Sequence, residues 1–208
     1  MKGLRIFRII TWSLVALVGG WLLVFGYLIP SEYSPRTVIA DASTPAIGKP
    51  FELTSHRGEI VDNAFLRGKP YLAFFGFTHC PDVCPTTLFE LTDLMKELGP
   101  AADDFNVIFI TVDPERDDPE LLKAYMTSFD QRIMALRGTE EQTQTAVKAF
   151  AAYARKVPTK GGNYTMDHTA GVYLMDADGG FRGTLDMHEP PEIRLQKIRN
   201  LISATQSP

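Results

Sequence analysis

Two cysteines stand four positions apart in the segment His79-Cys80-Pro81-Asp82-Val83-Cys84-Pro85, and the 208-residue chain has no others. The continuous apolar run Tyr71 to Phe77 before them has the composition of a strand buried on both faces. Leu88, Leu91, Leu94, Met95 and Leu98 after them recur at helical spacing, and Gly99-Pro100 closes that helix. The thiols therefore fall at a strand-to-helix junction, the functional edge of an open α/β sheet. Amides at a helix N-terminus favour the thiolate, which is both the nucleophile and the metal-binding form of cysteine. Pro81 and Pro85 keep the segment from running as one regular helix, so both sulfurs can face one point. The spacing is C-x-x-x-C, one residue wider than the C-x-x-C of redox thioredoxins, and the wider loop admits a metal ion. A structural disulfide across so small a loop would brace little.

Two thiolates and one imidazole make a three-coordinate set, two sulfurs and one nitrogen, suited to Cu(I), whereas Cu(II) wants a further oxygen or nitrogen donor. Four histidines are available. His56 falls in a predicted hairpin turn and reads as solvated. His79 adjoins Cys80, and strand alternation points the two to opposite faces. His188, in Met187-His188-Glu189-Pro190, sits in a tail loop and is the weaker alternative. His168 remains, expected at a loop apex beside a strand start. The same two thiols could instead exchange disulfides, so a copper-binding protein and a thiol-disulfide oxidoreductase both stay open. A peroxidase with Cys80 as peroxidatic and Cys84 as resolving residue comes third.

The elements that would position these groups follow from the rest of the pattern. Phe51 to Val61 alternates around a turn as a small hairpin. Val107 to Val112 is a second buried strand, and Asp113 to Asp118 is a polar loop. Pro119 opens a helix through about Phe129, a short strand covers Ile133 to Leu136, and a helix is predicted over Glu140 to Arg155. Lys156 to Gly162 reads as a loop, Ala170 to Met175 and Phe181 to Leu185 as paired strands, and Pro191 to Ser203 as an amphipathic helix. This succession predicts an α/β fold of thioredoxin type with an N-terminal β-hairpin and a helical insertion.

Charge and hydropathy divide the chain. The 23 positions from Ile9 to Ser31 carry no charge, and Lys2, Arg5 and Arg8 precede them. The 21 residues from Ile9 to Ile29, as a helix, would rise about 30 Å, the thickness of a bilayer's hydrocarbon core. Positive flanking residues keep the N-terminus cytoplasmic. The expected organisation is residues 1–8 cytoplasmic, 9–29 a transmembrane anchor, 30–45 a tether and 46–208 a thioredoxin-like copper-binding domain. That places a single-pass protein in a bacterial inner membrane with its C-terminal domain in the periplasm, an oxidising compartment where a thiol pair is chemically active. Setting aside the three N-terminal cations leaves 18 Lys and Arg against 25 Asp and Glu, so nucleic acid is excluded as a partner.

Three segments taken together resemble the SCO/SenC family: Phe77 to Pro85, Val112 to Asp117, and Tyr164 to Thr169 with its Asp167-His168. The resemblance implies a membrane-tethered thioredoxin-like protein delivering copper, one ion per chain, to the binuclear copper centre of cytochrome c oxidase subunit II. It implies Cys80, Cys84 and His168 as copper ligands and Asp82 and Asp113 as accessory residues. A periplasmic copper donor and a thiol reductant would be further partners. By fold analogy, redox thioredoxins place a cis-proline against their cysteines, and this chain has no proline between Thr159 and Glu189. An exchange of that proline for His168 fits an exchange of disulfide chemistry for metal chemistry.

Overall fold

A computed structural model of the chain describes residues 12–14, 16–21 and 47–206. The chain divides into two compact units, Met1–Thr44 and Pro45–Pro208. In the first, residues 12–14 and 16–21 are helical and exposed. No helix among the described residues is long and apolar enough to cross a membrane. The expected anchor over 9–29 falls for the greater part outside the described residues, as do residues 1–8 and 30–45.

The second unit runs β1 (Glu52–Ser55), β2 (Ile60–Asp62), α1 (Asn63–Leu66), β3 (Tyr71–Gly76), α2 (Val83–Leu98), a 3-10 segment (Gly99–Asp104) and β4 (Asn106–Thr111). It continues through α3 (Pro119–Met126), β5 (Ile133–Arg137), α4 (Glu140–Ala149), β6 (Ala154–Pro158), β7 (Tyr164–His168), β8 (Val172–Met175), β9 (Phe181–Leu185) and α5 (Pro191–Gln206). Seven strands form one sheet in the order β2-β1-β5-β4-β3-β8-β9, and β6 pairs with β7 in a separate two-stranded sheet. β3, β4 and β5 are parallel, β8 returns antiparallel beside β3, and β9 is antiparallel to β8 at the sheet edge. The strands β4-β3-β8-β9 with α2, α3 and α5 make the thioredoxin-like core. The β1–β2 hairpin extends it at one side, and the insertion holds β5, α4 and the β6–β7 hairpin, so it carries strands as well as a helix.

Every residue of β3 is buried, which a strand achieves only when both faces of its sheet are covered. Successive residues point to opposite faces, and Phe74 and Phe75 show it. Phe75 joins Phe51, Phe150 and Tyr173 in one aromatic cluster with ring centroids 5.4–6.0 Å apart. Phe74 stacks on Phe109 at 5.9 Å on the other face, where Tyr125 and Phe129 continue the cluster. α2 buries Cys84, Thr87, Leu88, Leu91, Leu94, Met95 and Leu98, the stripe that its spacing predicts, and ends at Gly99 with φ 58°.

Two expectations are corrected. The helix predicted over Glu140 to Arg155 stops at Ala149, because Phe150 is drawn into the aromatic cluster and Ala151 takes a left-handed φ of 48° that reverses the chain. The segment read as the loop Lys156 to Gly162 contains the end of β6 and the turn into β7, with register Ala154↔His168 to Pro158↔Tyr164. β6 is largely exposed, so it carries no alternating apolar pattern by which to recognise it.

Tyr71 opens β3 at 1% exposure, and burial, reinforced by the charge of Asp176, pushes its phenol up to about 12 from the ordinary 10.0. The unfolded chain ionises first, so the contribution of neutral Tyr71 is complete below about pH 10 and lost as pH rises towards 12. That loss is on the order of 2 kcal/mol. Urea unfolding in mildly and strongly alkaline buffer should show a smaller loss for Tyr71→Phe than for the native chain, and equal losses would contradict this environment.

Candidate metal centre

The site begins where β3 ends. Cys80 follows a turn, its amide donating to the carbonyl of Phe77 at 3.2 Å, and α2 starts at Val83 with Asp82 at its N-cap position. Cys84, in the first turn of α2, is fully buried, while Cys80 is part-exposed, and both are free thiols. The Cys84 amide donates to Cys80 Sγ at 3.4 Å, so a helix-terminal N–H supports charge on the more accessible sulfur. Cys84 Sγ occupies the space that a side chain at residue 76 would need. A Cβ built on Gly76 would lie 2.9 Å from that sulfur and 2.7 Å from the Phe109 ring. Burial pushes the Cys84 thiol well above its ordinary range, and the neighbouring Cys80 adds to the effect.

His168 arrives from the other sheet. It is the last residue of β7, paired with Ala154, rather than a loop apex. Its ring lies edge-on to Phe77 at 5.8 Å and to Phe74 at 6.5 Å. Nδ1 is 3.0 Å from the carbonyl oxygen of Thr169. A carbonyl only accepts, so Nδ1 carries the proton and Nε2 presents its lone pair. That Nε2 is 3.6 Å from Cys84 Sγ. Burial lowers the His168 pKa and favours the neutral ring. The ligand atoms of Cys80, Cys84 and His168 all lie within 4.8 Å of one another, a group that could hold a metal ion. Two soft sulfurs and one imidazole in a part-buried pocket suit a soft monovalent cation at low coordination number.

A family model described as SCO1/SenC matches residues 39–203. The chain belongs to the SCO1/SenC family. It is 33% identical over 194 residues to an SCO2-like protein of Rickettsia conorii, covering 92% of this chain and 95% of that relative. Among solved structures it is similar to ScoI of Bradyrhizobium japonicum with copper bound, with 47% identity and a TM-score of 0.71 over 75% of this chain and 99% of the other. It is similar also to BsSco, a member of the Sco family of cytochrome c oxidase assembly proteins in which a disulfide switch is identified. There the identity is 26% and the TM-score 0.60, over 77% of this chain and 95% of the other. The thioredoxin-like architecture is that of the solved Sco proteins.

The remaining residues singled out by sequence lie outside the three-atom group of this SCO1/SenC chain. Asp82 is exposed and its carboxylate accepts from Thr86 Oγ1 at 3.4 Å. Asp113 is fully buried, accepting from the Arg116 guanidinium and, at 2.9 Å, from the Tyr164 hydroxyl. Arg116 also donates to the Tyr164 carbonyl at 3.0 Å and lies 3.8 Å over its ring. Asp113 thus braces the start of β7, whose far end is His168. His188 is held by Asp186 in an exposed loop, and His56 Nδ1 accepts from the Ala135 amide at 3.1 Å. Sequence reading did not single out Asp117, which is fully buried and accepts from the hydroxyls of Thr78 and Thr111, each at 2.5 Å, and from the Thr78 amide. It pins the chain two residues before Cys80. Its sequence signals were membership of the Asp113 to Asp118 run and of the Val112 to Asp117 segment that resembles the family, and in neither can a buried anchor be told from a solvated loop residue.

Exposure and thiol environment together predict an order of reaction. With limiting iodoacetamide near pH 8, Cys80 of the reduced, metal-free protein should alkylate first and Cys84 at least about tenfold more slowly. Peptide mapping by mass spectrometry reads the ratio, and equal labelling would contradict the burial of Cys84.

Proposed function

We propose that this protein is a copper metallochaperone that carries one Cu(I) on Cys80, Cys84 and His168 and delivers it to the binuclear copper centre of cytochrome c oxidase subunit II. The observation that carries the reading is the convergence of two free thiols and an Nε2 lone pair within 4.8 Å, with no bond between the sulfurs. Copper is cargo here. It enters by ligand exchange, each thiol giving up its proton as its Cu–S bond forms. His168 contributes a donor that is already deprotonated at Nε2 and already oriented. Similarity to a copper-bound ScoI and to a cytochrome c oxidase assembly protein supports both cargo and destination. The charge-free run 9–29 behind Lys2, Arg5 and Arg8 supports a single-pass anchor in a bacterial inner membrane, with the copper domain in the periplasm.

A second reading has its own observation. The Cys84 amide aimed at Cys80 Sγ would support attack by the Cys80 thiolate on a disulfide, and a disulfide switch is described for BsSco. The protein would then reduce the copper-site cysteines of subunit II, with Cys84 resolving the mixed disulfide and an external thiol reductant restoring the pair.

Metal analysis separates the two. The reduced protein should retain one copper per chain and the Cys80–Cys84 disulfide form almost none, since sulfurs bonded to each other are poor ligands. Replacing either cysteine by serine should abolish tight binding, and stoichiometric copper on the oxidised protein would sink the site. His168→Ala should lower Cu(I) affinity by at least about 10–100-fold in competition with a chelator, while disulfide formation persists. Unchanged affinity with collapsed thiol exchange would instead favour the reductase.

In cells, deletion should impair assembly of a copper-containing oxidase, with partial rescue by added copper. Rescue by thiol reductant alone would favour the second reading, and normal oxidase content would defeat both. Protease added to spheroplasts should digest the copper domain, and its protection would refute the orientation.

A further inference from the structure

Cys84 is fully buried, while Cys80 and His168 are part-exposed, so those two ligands can be approached from outside. The residue beside Cys80 is His79; β3 ends at Gly76 and both residues lie in the turn region after it, so the strand alternation expected to part them does not apply, and the His79 side chain is 47% exposed. Its Nδ1 is 3.0 Å from Thr78 Oγ1. The single proton of that hydroxyl is given to Asp117 Oδ1 at 2.5 Å, so the hydroxyl can only accept from the imidazole. Nδ1 is therefore the protonated nitrogen of neutral His79, and Nε2 keeps its lone pair for a ligand. The chain is anchored in the core, because Asp117 is fully buried and also fixed by Thr111 Oγ1 and the Thr78 amide. An imidazole held at its far nitrogen by a hydrogen bond, here to the Thr78 hydroxyl that Asp117 fixes in turn, has its ring orientation set and its other nitrogen left for a metal. This arrangement serves a histidine outside the group of three convergent ligands. His56 is arranged the opposite way, its Nδ1 accepting from a backbone amide.

We propose that His79 is a transfer ligand, an exposed imidazole that takes Cu(I) from an incoming donor and passes it to Cys80. This rests on the metallochaperone reading of Cys80, Cys84 and His168. The exchange is associative and involves no redox change. His79 Nε2 forms a Cu–N bond as one donor ligand leaves. Cys80 then forms a Cu–S bond, releasing its proton to solvent, as the Cu–N bond to His79 breaks; Cys84, releasing its own proton, and His168 complete the set as the donor's remaining ligands leave. Running backwards, the same steps present the ion to an acceptor.

The test follows transfer from Cu(I)–bicinchoninate to the reduced full-length protein by stopped-flow absorbance, with affinity measured separately at equilibrium. His79→Gln should slow transfer at least about tenfold and leave affinity within about twofold, because His79 is absent from the final ligand set. Millimolar imidazole should restore much of the lost rate, a response that a purely structural role would not give. His188→Gln, which removes a second exposed imidazole, this one held at Nδ1 by the Asp186 carboxylate, should leave the rate unchanged. An unchanged rate for His79→Gln, an equal slowing by His188→Gln, or a loss of affinity as large as that of His168→Ala overturns the proposal. If the native protein takes up no copper, the metallochaperone reading itself fails, and the two failures are distinct.

Discussion

The burial of one sulfur at the end of a strand is the constraint on which the rest of the site depends. Cys84 Sγ fits beneath β3 only because residue 76 has no side chain; any Cβ there would press on the sulfur and on the Phe109 ring. Gly76 lies two residues beyond Phe74, on the same face of the strand, so the sulfur comes to rest on the aromatic layer of Phe74 and Phe109. That layer also seats His168. A thiol so placed gives up its proton reluctantly, and a cation that replaces the proton removes the penalty of burying a bare thiolate. The pocket is therefore selective for occupants that bring positive charge and tolerate a dry, sulfur-rich setting.

Holding the third ligand is a separate structural task. His168 belongs to a two-stranded sheet that shares no strand with the main one, and its partner strand β6 is largely exposed. The hairpin is tied down by the loop after β4. Asp113 and Arg116 together grip the hydroxyl, carbonyl and ring of Tyr164, and the Lys156 ammonium lies 4.9 Å from the same ring while pairing with Glu115. Charge buried this deeply persists only when paired and hydrogen-bonded, and Asp113 is. Asp117, four residues on, does the same for the segment that leads into Cys80. One short acidic loop thus orients both halves of the site, the cysteine turn through Thr78 and the histidine hairpin through Tyr164. A loop placed by a buried parallel strand suits that purpose, because the strand fixes its origin.

Much of this was legible before any coordinates. The apolar run of β3, the leucine stripe of α2 and the two cysteines between them are local patterns, and local patterns report local structure well. The hairpin that carries His168 was not legible. Its strands bury little, so neither alternates, and the alanine-rich stretch before β6 has the composition of a continuing helix. What ended that helix was the pull of Phe150 into a cluster with Phe51, Phe75 and Tyr173, residues remote from it in sequence. Asp113 shows the same limit from the other side. The resemblance implies it as an accessory residue, and its bond to the Tyr164 hydroxyl, which braces the strand that brings the ligand, depends on what faces it across 51 residues of chain.

By itself, the sequence determined that two thiols stand at a strand-to-helix junction with a spacing too wide for an ordinary redox pair. Among four histidines it pointed to His168, by elimination and by resemblance to the family. Tertiary structure decided how that residue meets the sulfurs, since Cys84 and His168 are 84 residues apart and no periodicity spans such a distance. It decided as well which nitrogen of each ring is free. A tautomer is set by the single oxygen that accepts the other nitrogen's proton, the Thr169 carbonyl for His168 and the Thr78 hydroxyl for His79, and that oxygen is placed by the fold.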